Sequence, residues 1–184
     1  VVWGFTPVHT DDFWEYDPAT DVWTQKQNVP GGERTEAVGF SIGNKGYIGI
    51  GSAANDGPTA FYEYDPANNT WTAKANFGGI GRLWGVGFSI GTKGYAGTGA
   101  YGLTRYSDFW EYDQASNTWN QKLDLPGQRR TSAAGFVIGN KGYLGTGDNG
   151  TPHDDFYEFD PVTNTWAQKA NVPPVMRMEA CGFA

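Results

Sequence analysis

Four arginines stand at one interval along the chain: Arg34, Arg82, Arg130 and Arg177, spaced 48, 48 and 47 residues apart. A guanidinium presents a planar fork of donors that matches a carboxylate through two hydrogen bonds and stacks on an aromatic face. Aromatic and basic residues that no repeat dictates accompany them: Trp84, Tyr101, Arg105, Tyr106, Arg129 and His153, with Trp3, Phe5 and His9 near the start. Such a set suits clamping an acidic group or stacking on a sugar ring. Glu15, Glu63, Glu111 and Glu158 recur with the same period and offer each Arg a structural partner instead, as buried charge demands.

The elements that must hold these residues follow from the same period. One phrase occurs four times, at Phe13–Pro18, Phe61–Pro66, Phe109–Gln114 and Phe156–Pro161, each followed by Trp23, Trp71, Trp119 or Trp166. A repeat of about 50 residues predicts the blades of a propeller. Each copy divides into four strand-like runs. The first carries glycine (Ala37–Ile42, Gly85–Ile90, Ala133–Ile138, Ala180–Ala184) and the second follows a Gly-Asn-Lys-Gly or Gly-Thr-Lys-Gly turn. The third is the repeated phrase, and the fourth surrounds the Trp. Asn-Lys-Gly supplies residues tolerant of positive φ, and Asp-Pro-Ala-Asn-Asn-Thr an Asx turn. Gly39, Gly87, Gly135 and Gly182 predict close backbone approach in an innermost strand. The Trp residues are expected to fill the wedge between neighbouring blades.

Among the copies, the turns between runs one and two and between runs three and four barely differ, whereas the other two loops share little. In a four-stranded meander those variable loops lie on one face, where binding is expected. The candidate ligand-binding set on that face is Arg34, Arg82, Trp84, Tyr101, Arg105, Tyr106, Arg130, His153 and Arg177.

Composition narrows the classes. The 184 residues carry 16% aromatics, 27 Gly and 18% charged residues, which suits short strands packed through rings. Net charge is −7 and no basic run exists, which argues against a nucleic-acid partner. No apolar stretch reaches the length of a membrane span. The lone Cys181 admits no internal disulfide and reads as a small core residue. Zinc spacing, a nucleophile elbow, a P-loop and a dinucleotide fingerprint are absent from the sequence, and no cofactor is expected. Asp11-Asp12 and Asp154-Asp155 are weak calcium candidates.

The Tyr-x-Tyr-Asp-Pro type of phrase, the following Trp, the glycines closing the second strand and the Arg before the next inner strand together resemble the kelch family. The glycine doublet is split here, as Gly49-Ile50-Gly51, Gly97-Thr98-Gly99 and Gly145-Thr146-Gly147. That wording resembles bacterial secreted or surface-displayed kelch arrays, implying an extracellular or cell-surface location. The resemblance implies an all-β propeller over 1–184. Its blades are 36–74, 84–122 and 132–169, with a fourth made from 179–184 and 1–26 and closed by N-terminal strands pairing with the C-terminal one. The missing initiator Met leaves open an excerpt of a six- to eight-blade array, or a half-ring that dimerises. The resemblance further implies a noncatalytic module for a protein, peptide or glycan, with the four arginines as contacts for acidic ligand groups. Alternatives are a structural, self-assembling extracellular subunit, or a sugar-directed epimerase or oxidase using Glu36, Glu179 or the arginines. A copper radical site would have only Cys181, His9 and His153 to draw on.

Overall fold

The computed structural model describes residues 10–173 and 175–184; the expected strand over 1–4, with Trp3, Phe5 and His9, lies outside the described residues. All described secondary structure is β. The chain opens with the hairpin β1 (Trp14–Asp17) and β2 (Val22–Gln25). After the two-residue β3 (Arg34–Thr35) comes a meander of β4 (Val38–Ile42), β5 (Lys45–Gly49), β7 (Phe61–Asp65) and β8 (Thr70–Ala73). The short β6 (Ser52–Ala53) pairs with β3. The second meander is β9 (Val86–Ile90), β10 (Lys93–Gly97), β13 (Phe109–Asp113) and β14 (Thr118–Lys122). Between β10 and β13 projects a small hairpin of β11 (Ala100–Tyr101) and β12 (Thr104–Arg105). The third meander is β15 (Ala134–Ile138), β16 (Lys141–Gly145), β17 (Phe156–Asp160) and β18 (Thr165–Gln168).

Each first turn is a two-residue hairpin, since Ile42 pairs with Lys45 across Gly43-Asn44. Positive φ falls on Gly43, Gly91 and Gly139, the first central residue, and not within Asn-Lys-Gly as the sequence pattern predicts. A glycine at that first position is the mark of a type II′ turn, whose twist matches the flanking strands. The later turn is an Asx turn: the Asp65 carboxylate accepts from the Ala67 N–H at 3.0 Å.

Successive meanders lie side by side, with β9 between β4 and β15. The inner-strand glycines explain the spacing. A Cβ on Gly87 would stand 2.0 Å from Val38 Cγ1, and one on Gly135 2.3 Å from Val86 Cγ2. The close approach expected at these positions is therefore made by the preceding inner strand's side chains, not by backbone.

One interlock joins every pair of neighbours. Phe13, Phe61 and Phe109 each insert edge-on against the next copy's aromatic pair: Tyr64 and Trp71, Tyr112 and Trp119, Phe159 and Trp166, at centroid distances of 4.8–5.2 Å. The indole N–H of Trp71, Trp119 and Trp166 donates to the carbonyl of Gln27, Ala75 and Leu123 in the linker behind. The same three linker residues donate their own N–H to Asn69, Asn117 and Asn164. Those Asn residues hold φ of 52–53°, a left-handed conformation that Asn tolerates better than most residues. The Trp wedge anticipated from the sequence is thus present, fastened by two hydrogen bonds.

The expected closure is not present among the described residues. Ala180–Ala184 form no strand, and β1 and β2 pair only with each other. Gly182 does lie where a further inner strand would, its position for a Cβ 2.6 Å from Phe136 Cδ1. Cys181 is exposed, not the core residue the pattern implies, because nothing described covers that side.

The interlock predicts unequal costs for equivalent truncations. In dilute solution Phe109→Ala should lose about 3–5 kcal/mol of unfolding free energy. Phe156→Ala, whose ring pairs among the described aromatics are with Phe136 and Tyr143 of its own meander, should lose clearly less. Urea denaturation of both variants measures the difference.

Candidate functional site

The repeated arginines sit where β3 and its counterparts enter the inner strands, and two of them are wholly buried. Arg82 donates through Nε to the Ile80 carbonyl at 2.8 Å, through Nη1 to the Thr98 carbonyl, and through both terminal nitrogens to Asp108. Phe77 and Tyr106 bracket its guanidinium, at 5.0 and 4.4 Å from the ring centroids. Arg130 repeats the arrangement with Gln128, Thr146 and Asp155. Arg34 finds Asp56 at 3.4 Å, from the neighbouring loop, because Ala60 fills the slot held by Asp108 and Asp155 in later copies. Arg177 reaches only the carbonyls of Pro173 and Val175 among the described residues. Every donor of Arg82 and Arg130 faces protein, so neither offers a surface to an acidic ligand.

The repeated Glu residues are not the arginines' partners. Glu63 stands directly across from Tyr47 in the ladder, accepts its hydroxyl and pairs with Lys74. Glu111 and Glu158 do the same with Tyr95 and Lys122, and with Tyr143 and Lys169. The mid-strand register of the Glu keeps it from the strand end where the Arg lies.

Two residues beyond each Arg the chain turns left-handed at a non-glycine residue: Glu36, Trp84, Ser132 and Glu179, with φ of 53–57°. These positions line a cavity of about 400 Å³. A neighbouring cavity of about 320 Å³ is bounded by Trp84, Leu103, Arg105, Ser132, Asp148 and Glu179. Backbone hydrogen bonds from Ser132 to Trp84 and from Glu179 to Ser132 tie the rim together. Non-glycine residues held in this conformation cost on the order of 1–3 kcal/mol each and collect at functional positions.

The candidates gather only in part. Trp84 is central to both cavities, and Arg105 reaches the second, 3.7 Å from Asp148. Tyr101 lies on the other side of the β11–β12 hairpin, in a separate cavity with Asp56 and Pro58. Tyr106 faces Arg82. His153 bridges Arg177 in the backbone and lines none of these cavities. Burial and then the nearby Arg130 charge hold its imidazole below the usual range. Leu103, fully exposed at the hairpin tip, and Ser132 were not signalled by type; Tyr-Gly-Leu-Thr, with Gly102 at positive φ, was the available clue.

The calcium candidates are otherwise engaged. Asp11 accepts from Asn28, Asp12 from the Trp14 indole, Asp154 from Asn171, and Asp155 from Arg130. Among the described residues no group of three or more His, Cys, Asp or Glu is arranged to hold a metal. No described helix is long and apolar enough to cross a membrane.

Among known proteins the chain resembles a solved structure titled "Structure of YjhT", with a TM-score of 0.76 at 19% identity. The match covers 90% of this chain and 61% of that one, so the chain spans about three-fifths of the neighbour's length. No protein-family model matches the chain, and no curated protein does. The likeness, with the strands described above, shows an all-β fold of antiparallel meanders consistent with a propeller-like structure.

The buried pairs carry a pH signature. Burial alone would raise the Asp108 carboxyl, but hydrogen bonds from Arg82 and Trp110, with the Arg82 charge, outweigh it and leave the group below its ordinary 3.8. A depressed carboxylate contributes stability that is complete above the unfolded value and lost as pH falls through the folded one. Asp108→Asn should therefore cost about 3–5 kcal/mol at neutral pH, because Arg82 stays buried without its counter-charge. The gap from the parent should narrow as pH drops below 3.8. Urea titrations at neutral and acidic pH measure both.

Proposed function

We propose that the chain is a kelch-type propeller module that binds a protein, peptide or glycan without catalysis, on the face carrying its variable loops. The observation that carries this reading is the division of labour between repeated and unrepeated residues. Repeated Arg82 and Arg130 are buried in Asp pairs, while unrepeated Trp84, Leu103 and Arg105 collect around the two adjoining cavities. A large ring flanked by a few polar groups is the usual make-up of a ligand site. Trp is also the residue type most enriched among binding hot spots.

The environment favours one kind of ligand. The resemblance implied recognition of acidic groups by the four arginines, but at least two are wholly buried and paired with Asp. The polar residues lining that cavity with Trp84 are Glu36, Ser132 and Glu179, all able to accept hydrogen bonds, beside Ala133 and Ala180. A ligand presenting hydroxyl or amino donors fits such a rim, as a glycan or a basic peptide segment does. The split-glycine wording shared with secreted kelch arrays supports an extracellular or cell-surface setting.

Trp84→Ala should weaken binding in glycan and peptide arrays at least about tenfold, roughly the 1.4 kcal/mol or more expected of a central anchor. Asn44→Ala, in a first-type turn on the opposite face, should leave binding unchanged. Equal binding by the parent and both variants would remove the proposed site.

A further inference from the structure

Nearly every cation of this acidic chain is matched to a carboxylate, and two that are poorly matched border one cavity. All seven lysines, with Arg34, Arg82 and Arg130, stand within 3.5 Å of a carboxylate. Arg177 rests on carbonyls. Arg105 lies 3.7 Å from Asp148, a partly exposed contact of the weak kind, and its Nε is buried without an acceptor. Arg129 is exposed and has no ion-pair partner among the described residues. Both line a cavity of about 420 Å³ whose other polar side chains are Thr104, Gln128 and Asn149; no carboxylate lines it.

Neither arginine belongs to the scaffold. The positions equivalent to Arg129 hold Glu33, Gly81 and Met176, and Arg105 stands on the β11–β12 hairpin of the second copy. The scaffold nevertheless fixes the walls. Arg130 Nε donates to the Gln128 carbonyl at 3.0 Å, and the Arg130 N–H donates to the Tyr106 carbonyl, joining this loop to the end of the hairpin. The Asn149 amide donates to Gln128 Oε1 at 3.3 Å and ties in the third wall. Two guanidinium groups are thus held around one space with little countercharge, in a chain of net charge −7. Like charges so placed repel, and an anion between them relieves the repulsion.

We infer that this cavity is an anion subsite of the Trp84 site, taking a sulfate or phosphate ester carried by a saccharide, with Arg105 and Arg129 donating to its oxygens. The inference rests on the binding reading above and adds the ligand's charged end. Guanidinium forks match oxyanions in geometry as well as charge. Gln128, its Oε1 engaged by Asn149, keeps its N–H donors to offer, and Thr104 adds a hydroxyl. Four donor side chains suit a group with three terminal oxygens better than a carboxylate with two. The cavity shares Leu103 and Arg105 with that of Trp84, Ser132 and Glu179. One ligand therefore meets an aromatic ring and hydrogen-bond acceptors at one end and arginines at the other. A saccharide with free hydroxyls and an ester group answers both; a basic peptide answers only the first.

Two titrations test it. Inorganic sulfate, followed through the arginine Nε–H signals in nitrogen-15 NMR, should shift Arg105 and Arg129 saturably and leave the buried Arg82 unmoved. Arg129→Gln alters an exposed side chain, so the fold should persist while sulfate binding weakens at least about tenfold. Lys93→Gln, which removes the same charge beside a first-type turn on the opposite face, should leave it unchanged, as should Trp84→Ala. Dextran oligosaccharides bearing sulfate or phosphate esters should bind at least about tenfold more tightly than plain or carboxymethyl chains, and Arg129→Gln should abolish that advantage. The tighter of the two esterified forms identifies the ester. Unmoved Arg105 and Arg129 signals, or esterified chains bound no better than plain or carboxymethyl ones, would overturn the subsite while leaving any Trp84-dependent array binding intact. Saturable sulfate binding with arrays indifferent to Trp84→Ala would instead remove the Trp84 site, and with it the saccharide spanning both cavities.

Discussion

Everything in this structure depends on one joint: a phenylalanine from each copy inserted between two rings of the next. The joint places the Phe edges against the faces of Tyr and Trp, the arrangement that aromatic quadrupoles prefer, worth about 0.5–1.5 kcal/mol per pair beyond the area buried. A single four-stranded meander has two apolar faces and cannot cover both. Repetition covers them, and the left-handed Asn with the Trp indole sets the register at which neighbours meet. A ring pair is covered where the preceding copy's Phe seats on it, which is why Trp166, under Phe109, is half-buried while the sequence-equivalent Trp23 is exposed.

The buried arginines act within that frame. A guanidinium under Tyr106 and over Phe77 bears a full charge inside an aromatic layer, and it stays there because Asp108 and two carbonyls satisfy it. Breaking such a pair strands its partner, so the pair specifies geometry even where its net contribution to stability is modest. It ties the entry of the inner strand to the start of the third. That in turn fixes the left-handed residue two positions on, and so the position of Trp84 at the rim. The scaffold arginine and the candidate ligand residue are two ends of one short segment.

The unrepeated features use what the scaffold leaves free. The β11–β12 hairpin rises from the second copy alone and divides the face, with Tyr101 on one side and Leu103 and Arg105 on the other. In the proposed binding role, selectivity would come from that asymmetry, because the repeated parts offer the same surface in every sector. The acidic rim of Glu36 and Glu179 matches the overall charge of −7, and it is the basis for proposing a donor-bearing ligand in place of the acidic one that the resemblance implies.

The sequence by itself determined the repeat, the four-stranded units, the Asx turn and the face on which variation collects, because each is encoded locally by alternating apolar residues, Asx positions and a fixed period; the first turn it located but assigned to the wrong residues. It also marked Trp84 and Arg105 as residues that no repeat explains. Only the tertiary structure decided which carboxylate each arginine meets, since Asp108 and Glu111 are three residues apart and period alone cannot separate them. Tertiary structure likewise parted Tyr101 and Tyr106 from Trp84. Pairings of this kind depend on where side chains point once sheets have packed, a long-range outcome that no local pattern of residues contains.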